Sequence, residues 1–148
     1  MKYLTIIASD LEVLYVPRPE PGEDIFAPKL WVEPDWTPVI TELKKWDGVR
    51  QVAVTVNPQD AADPYSAGRN YTVTLLVHAR QFAGEQMWQL YREECLELGE
   101  SINSVAAVVS QVSSDESYQE ALQEAVSLRL GENYLVSGAG NIQVEEAA

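Results

Sequence analysis

Alternating apolar and polar residues predict two neighbouring strands in the middle of the chain. Valines at every second position mark the first strand, residues 51–56, and the same period of two continues through residues 71–80. Each strand is therefore expected to bury one face. Residues 57–70 lie between them, and their two prolines, two aspartates and one glycine predict an exposed hairpin loop of 14 residues.

Apolar residues at intervals of three and four predict a long amphipathic helix over residues 86–103, with glutamates on its opposite side. Its apolar stripe is expected to cover the sheet. The two strands and this helix should supply the following buried side chains: Val54, Val73, Leu75, Val77, Leu90 and Leu98.

Two further helices have start signals in the sequence. Residues 37–46 begin with threonine as the candidate N-cap and have proline at the first helical position, which predicts a short helix. Ser113 and Glu116 have the spacing of a capping box and predict a helix over residues 115–130.

The remaining apolar runs predict additional strands. Residues 3–8 and 11–16 predict one or two strands, with a short helix as the alternative. Residues 105–112 are rich in β-branched side chains and predict a strand unless they continue the preceding helix. Residues 134–136 and 142–144 predict a second hairpin, with the glycine-rich residues between them as its loop.

These elements predict a single α+β domain over residues 1–148, with a mostly antiparallel sheet packed by two or three helices. A chain of 148 residues that is 46% hydrophobic is long enough to bury its own core.

A proline-rich arm is predicted over residues 17–36, which hold five of the eight prolines. The arm is too apolar for a disordered linker, so it is expected to pack on its own domain or on a neighbouring subunit. Aromatic residues anchor protein interfaces, and long loops often carry binding residues. The candidate interface residues of the arm and the hairpin loop are Phe26, Trp31, Trp36, Asp60, Asp63, Tyr65 and Arg69.

Acidic charge is concentrated in the last third of the chain. Residues 93–148 carry 11 acidic residues and one basic residue, Arg129, whereas residues 1–92 carry 12 and 9. Such a surface repels phosphate backbones, so direct nucleic-acid binding is not expected. A solvated face that aids solubility is the simplest interpretation, and binding to a basic protein is the alternative.

The cysteine content and the start of the chain bear on its compartment. Cys95 is the single cysteine, which excludes an intrachain disulfide and fits a reducing compartment. Asp10 and Glu12 interrupt the first apolar run, which also lacks a cleavage site, so no membrane association is expected.

Residue types that catalysis needs are scarce. His78 is the only histidine and lies in the middle of a predicted strand, while Cys95 lies on a predicted apolar stripe. One histidine and one cysteine cannot form a zinc centre, and Asp60 with Asp63 lacks the spacing of a calcium loop. We therefore expect a non-enzyme without catalytic, metal or cofactor sites.

Three segments follow the proline-rich arm in order: a strand, QVAVTVNP, a second strand, AGRNYTVTLLVHAR, and a helix, EQMWQLYREECLELGESI. This pattern resembles the tail terminator or tail completion (minor tail) proteins of tailed bacteriophages. The helical residues 118–130 depart from that family, because they make the last part of the chain longer and more helical.

The resemblance implies a small structural subunit that forms a homo-oligomeric ring, typically a hexamer, and has no catalytic residues. It implies a virion protein of the tail or neck, assembled in the host cytoplasm, whose partners are copies of itself and tail tube or neck proteins.

The alternative function is an acidic inhibitor or nucleic-acid mimic that binds a basic site on a defence or regulatory protein. Its support is the acidic last third, although ordinary amphipathic helices show similar short rows of glutamates. The rows are Glu93, Glu97 and Glu100, and Glu116, Glu120 and Glu124.

Overall fold

The computed structural model describes residues 3–19, 21–22, 29–46, 48–78, 81 and 116–146. In chain order the elements are β1 (Tyr3–Tyr15), α1 (Thr37–Lys44), β2 (Val49–Val56), α2 (Pro58–Ala61), β3 (Gly68–His78), α3 (Glu116–Leu130) and β4 (Tyr134–Glu146). The described strands form one antiparallel sheet in the order β2-β3-β1-β4. The predicted α+β class and antiparallel sheet are confirmed.

The strand β1 lies inside the sheet, between β3 and β4, and has a bulge in its middle. Asp10 has a φ of +62°, and the register against both neighbouring strands shifts there. Ala8 is buried before the bulge and Leu11 after it, so the inward face continues across the irregularity. The two predicted runs are therefore one bulged strand.

The predicted hairpin near the end of the chain is wrong, because β4 runs without interruption through the glycine-rich residues. Gly138, with a φ of +90°, lies opposite Leu11, directly after the bulge in β1. A Cβ at this position would overlap the carbonyl oxygen of Asp10, so glycine is required by the close approach of two strands. The glycine-rich residues mark a bulge in the sheet, whereas from sequence they were interpreted as a turn.

The segment between β2 and β3 differs from the predicted loop over residues 57–70. It contains α2, whose first free N–H, that of Gln59, is capped by the side chain of Asn57 at 2.9 Å, and β3 begins already at Gly68. Val54 was predicted to be buried but is half-buried, because β2 is an outer strand in the order of the described strands and pairs within them on one side only.

The core lies between one face of the sheet and the helices α1 and α3, both predicted in sequence and confirmed here. Its buried side chains are Leu4, Ile6, Ala8, Leu11, Val39, Leu43, Val49, Val73, Leu75, Val77, Leu122 and Val126. The predicted helix over residues 86–103, the strand over residues 105–112, and Phe26 lie outside the described residues. No helix in the described part of the chain combines the length and apolar character needed to cross a membrane.

Candidate interaction surface

The last part of the proline-rich arm, residues 29–36, lies against the sheet of its own chain, at the end where β1 finishes and β4 begins. The ring of Trp31 lies 6.0 Å from that of Tyr15 and 6.2 Å from that of Tyr134, in edge-to-face arrangements. The hydroxyl of Tyr134 donates a hydrogen bond to the backbone carbonyl of Val32 at 2.7 Å. Residues 29–36 therefore pack on their own domain.

Glu33 fastens this segment to the sheet. Its carboxylate accepts hydrogen bonds from the indole N–H groups of Trp31 at 2.9 Å and Trp36 at 3.1 Å. The carboxylate also accepts a hydrogen bond from the hydroxyl of Tyr71 at 2.8 Å, and it lies 3.8 Å from the guanidinium of Arg69. We call these five residues the Glu33 clasp. Several donors converge on one carboxylate, so the segment is held by charge-assisted hydrogen bonds.

Arg69 reaches the clasp from β3 and is only 11% exposed along its side chain. Its Nε donates to the hydroxyl of Ser66 at 3.2 Å, and Nη2 donates to the carbonyl of Asp63 at 3.1 Å. Its guanidinium carbon lies 5.0 Å from the ring centroid of Trp31. The arginine therefore joins the arm to the segment before β3.

The clasp shifts the ionisation of its tyrosine. Burial is the main cause that raises the pKa of Tyr71 above its ordinary value. The carboxylate of Glu33 raises this pKa further, because it accepts a hydrogen bond from the phenol and carries a negative charge. Burial also raises the pKa of Tyr134, with smaller effects from Tyr15 and Glu33. The arrangement at this end of the sheet therefore favours protonated phenols.

The start of α1 adjoins the clasp and is capped differently from the prediction. Thr37 is the first helical residue, and Trp36 occupies the N-cap position but does not cap the helix with its side chain. The carboxylate of Asp35 instead accepts the backbone N–H of Thr37 at 3.0 Å, and the hydrogen bonds from this residue lower the pKa of Asp35.

The predicted loop residues stabilise the turn beside the arm. Asp60 accepts the backbone N–H of Asn70 at 2.8 Å, and Asp63 accepts that of Tyr65 at 2.9 Å. Trp31 donates its own backbone N–H to the carbonyl of Pro64 at 2.8 Å, which connects the arm to this turn. The structure thus brings Trp31, Trp36 and Arg69 together in the clasp, with Asp60, Asp63 and Tyr65 next to it.

Large apolar side chains are exposed around the clasp. Val16 is 41% exposed, Leu30 59%, Val32 50% and Tyr65 55%. We call these four residues the arm surface. Val16 directly follows β1, Tyr65 precedes β3, and Leu30 and Val32 flank Trp31 in the arm. Trp31 and Trp36 are less exposed than these four residues, and their predicted contact with a partner stays a prediction.

Glu33 is the residue of this candidate surface that the sequence did not predict. It follows no periodic pattern, and its partner Tyr71 is far away in the sequence. The available signal was the two indole N–H donors, Trp31 and Trp36, which lie two and three residues from Glu33 in the sequence.

Other parts of the described structure offer little chemistry. No group of three or more His, Cys, Asp or Glu residues among the described ones is placed to hold a metal ion. An open cleft of about 490 Å³ beside α1 contains Arg129, which forms an ion pair with Glu42 at 3.2 Å. His78 packs its ring edge-to-face with Tyr3, at 5.5 Å between centroids.

Comparison of the chain with models of protein families, with curated proteins and with solved structures gave no match.

Proposed function

We propose that this protein is a non-enzymatic structural subunit of a phage tail or neck, which forms a ring with copies of itself. The proposal combines the resemblance to tail terminator and tail completion proteins with one structural observation, the arm surface on its clasped support. Exposed apolar side chains on a well-anchored segment are typical of protein contacts.

The arm surface is the contact that this proposal assigns to the tail tube or neck protein. It lies at one end of the strands, so a partner there would stack along the strand direction and leave the two outer strands, β2 and β4, accessible to neighbouring subunits. Val16, Leu30 and Val32 supply apolar area to such a partner, and Tyr65 adds an aromatic ring with a polar end.

Under this proposal the aromatic residues in the arm support the contact surface from within the subunit. Trp31 and Trp36 use their N–H groups within the subunit, on Glu33. They would act by holding Leu30 and Val32 in place, and the direct contact with the partner would be made by the aliphatic residues.

The test measures self-association and partner binding separately. The full-length protein is analysed by light scattering and negative-stain imaging, alone and with the tail tube protein of the same genome. We expect rings for the wild type and for a Leu30→Asp/Val32→Asp variant, but loss of tube binding in the variant. Leu128→Asp is the matched control, because Leu128 is 67% exposed on α3, outside the arm surface.

A wild-type protein that stays monomeric at high concentration and does not bind the tube protein would exclude this function. Retained tube binding in the double variant, with rings intact, would exclude the arm surface as the contact.

The second candidate, an acidic inhibitor, is supported by Glu120 and Glu124, which are exposed one helical turn apart on α3. Under this alternative the protein would bind a basic defence or regulatory protein, and Glu120→Lys/Glu124→Lys would abolish that binding. A ring-forming protein that binds the tail tube through the arm surface would exclude it.

A further inference from the structure

β2 and β4 are the two outer strands in the order of the described strands, and their central parts lack the charged residues and prolines that usually prevent strands from pairing with another chain. β4 has no charged residue and no proline from Leu135 to Val144, and β2 has none from Gln51 to Val56. Outer strands of soluble proteins commonly carry lysine, proline or inward-pointing charges, because their free N–H and C=O groups invite a further strand. Among the described residues, each of these two strands pairs on one side only.

The directions of the outer strands suit a contact between identical copies. Each neighbouring pair in the order β2-β3-β1-β4 is antiparallel, so β2 and β4 run in opposite directions. A second copy placed beside β4 in the same orientation therefore presents its β2 as an antiparallel neighbour. Such a contact joins two different surfaces of identical subunits, which is the arrangement that builds a ring when the rotation closes.

The register across the sheet aligns the two outer strands. Ala53 pairs with Thr74, Thr74 with Ile7, and Ile7 with Gln143. These four residues form one row, with Ala53 and Gln143 at its two ends, and both end residues are exposed. Copies set side by side at the same height therefore bring Ala53 of one next to Gln143 of the other.

The adjacent rows match in polarity. Val54 and Ile142 are the ends of one row, and Val52 and Val144 are the ends of another. All four are half-buried and pack against the core from the helix-covered face. Pairing in this register continues the apolar face from one subunit to the next, whereas a shift by one residue would place apolar residues against polar ones.

Charge is complementary at the same end of the two strands. Exposed Arg50 lies at the start of β2, exposed Lys44 and Lys45 end α1 a few residues before it, and exposed Glu145 ends the row of Gln51 on β4. In the aligned arrangement the basic groups of one copy approach Glu145 of its neighbour, although each copy is acidic as a whole. Local complementarity of this kind selects a register and a partner.

We infer that β4 of one subunit pairs with β2 of the next, so that the sheet continues from subunit to subunit around the ring. This inference rests on the proposed self-association and specifies its lateral contact. Backbone hydrogen bonds between the two strands hold the subunits together. The match of apolar with apolar and polar with polar residues, together with the charge of Glu145, fixes the register.

The experiment places one cysteine on each outer strand of the full-length chain. Ala53→Cys and Gln143→Cys are made in separate, differently tagged chains that also carry Cys95→Ser, and the chains are mixed, assembled and mildly oxidised. Directly opposed residues on antiparallel strands have Cβ atoms about 4.5–5.5 Å apart, close enough for a disulfide after a small adjustment. We expect a disulfide between the two chains.

Leu135→Cys replaces Gln143→Cys in the control mixture. Leu135 is also exposed on β4, but it lies at the other end of the strand, in the row of Leu14. We expect background cross-linking with this variant, and weaker assembly in a separate Glu145→Lys variant. A parallel set of chains keeps Cys95, with the disulfide assigned by peptide mass, in case the serine variant does not assemble.

The outcomes distinguish this inference from the proposed function. Rings that form without the disulfide between positions 53 and 143 overturn the strand pairing and leave the ring intact as a proposal. A chain that remains monomeric under all conditions overturns both.

Discussion

One face of the sheet is covered in two different ways. Under α1 and α3 the core consists of apolar side chains, with fully buried residues such as Ile6, Leu75 and Leu122. At the arm end, Trp31 and Trp36 cover the same face, and a carboxylate, a phenol and a guanidinium meet between them. The first region is held by burial of apolar area, and the second by directional polar contacts.

The difference follows from what each covering segment can offer. Helices satisfy their own backbone and can present an apolar stripe to the sheet. The proline-rich arm lacks regular backbone hydrogen bonds over residues 29–36 and depends on side chains such as Glu33 to attach it. Half of the Glu33 side chain is exposed, so water competes with these contacts. We therefore expect the helix-covered region to dominate global stability and the arm end to open first.

The largest expected effect is in the helix-covered region. Leu75→Ala removes a fully buried side chain from the centre of β3, and it should lower the free energy of unfolding by about 2–5 kcal/mol. Chemical denaturation measures this loss. Leu135→Ala, at a residue that is 57% exposed, is the control and should change stability little. Equal effects of the two substitutions would contradict the assignment of the core.

A smaller and more local effect is expected at the arm end. Glu33→Gln keeps the size of the side chain but removes the charge of the carboxylate, which accepts hydrogen bonds from two indoles and a phenol. This change should lower the free energy of unfolding by about 1 kcal/mol. Tryptophan fluorescence should then change at lower denaturant concentration than far-ultraviolet circular dichroism. Glu120→Gln, on the exposed side of α3, is the control. Coincident transitions in the Glu33 variant would show that the arm does not open separately.

The smallest expected effect is a dependence on alkaline pH. The pKa of Tyr71 is raised in the folded state, so its contribution to stability is complete below the unfolded value of about 10 and is lost as the pH rises above it. The free energy of unfolding should therefore fall above this pH more steeply in the wild type than in Tyr71→Phe. Tyr65→Phe, at an exposed position, should keep the wild-type slope. Identical slopes in wild type and Tyr71→Phe would contradict the burial of this phenol.

Elements whose pattern repeats were predictable from the sequence. β3 shows a strict period of two, and α3 combines a capping-box spacing with an apolar stripe, so both were placed within a few residues of their observed bounds. Burial of Val73, Leu75 and Val77 followed from the same alternation. Val54 shares that alternation but lies on an outer strand, and strand order is not encoded in a local pattern.

Features that depend on distant parts of the chain were not predictable. Gly138 fits a turn and a bulge equally well from sequence, and only its neighbour Asp10 on β1 decides between them. Glu33 gains its role from Tyr71 and Arg69, which approach it only once the sheet is complete. Trp31 and Trp36 were expected to contact a partner, which stays a prediction, and their indole N–H groups donate to Glu33 of the same subunit.

The central position of β1 constrains the order in which the chain can fold. Ile7 pairs on one side with Thr74 and on the other with Gln143, which lies near the opposite end of the sequence. Such pairing has a high sequence separation, which slows folding because a long loop must close before its contacts form. Until residues 134–146 arrive, β1 keeps one open side in the middle of the apolar core. A newly made chain is therefore expected to be most prone to aggregate just before β4 is added.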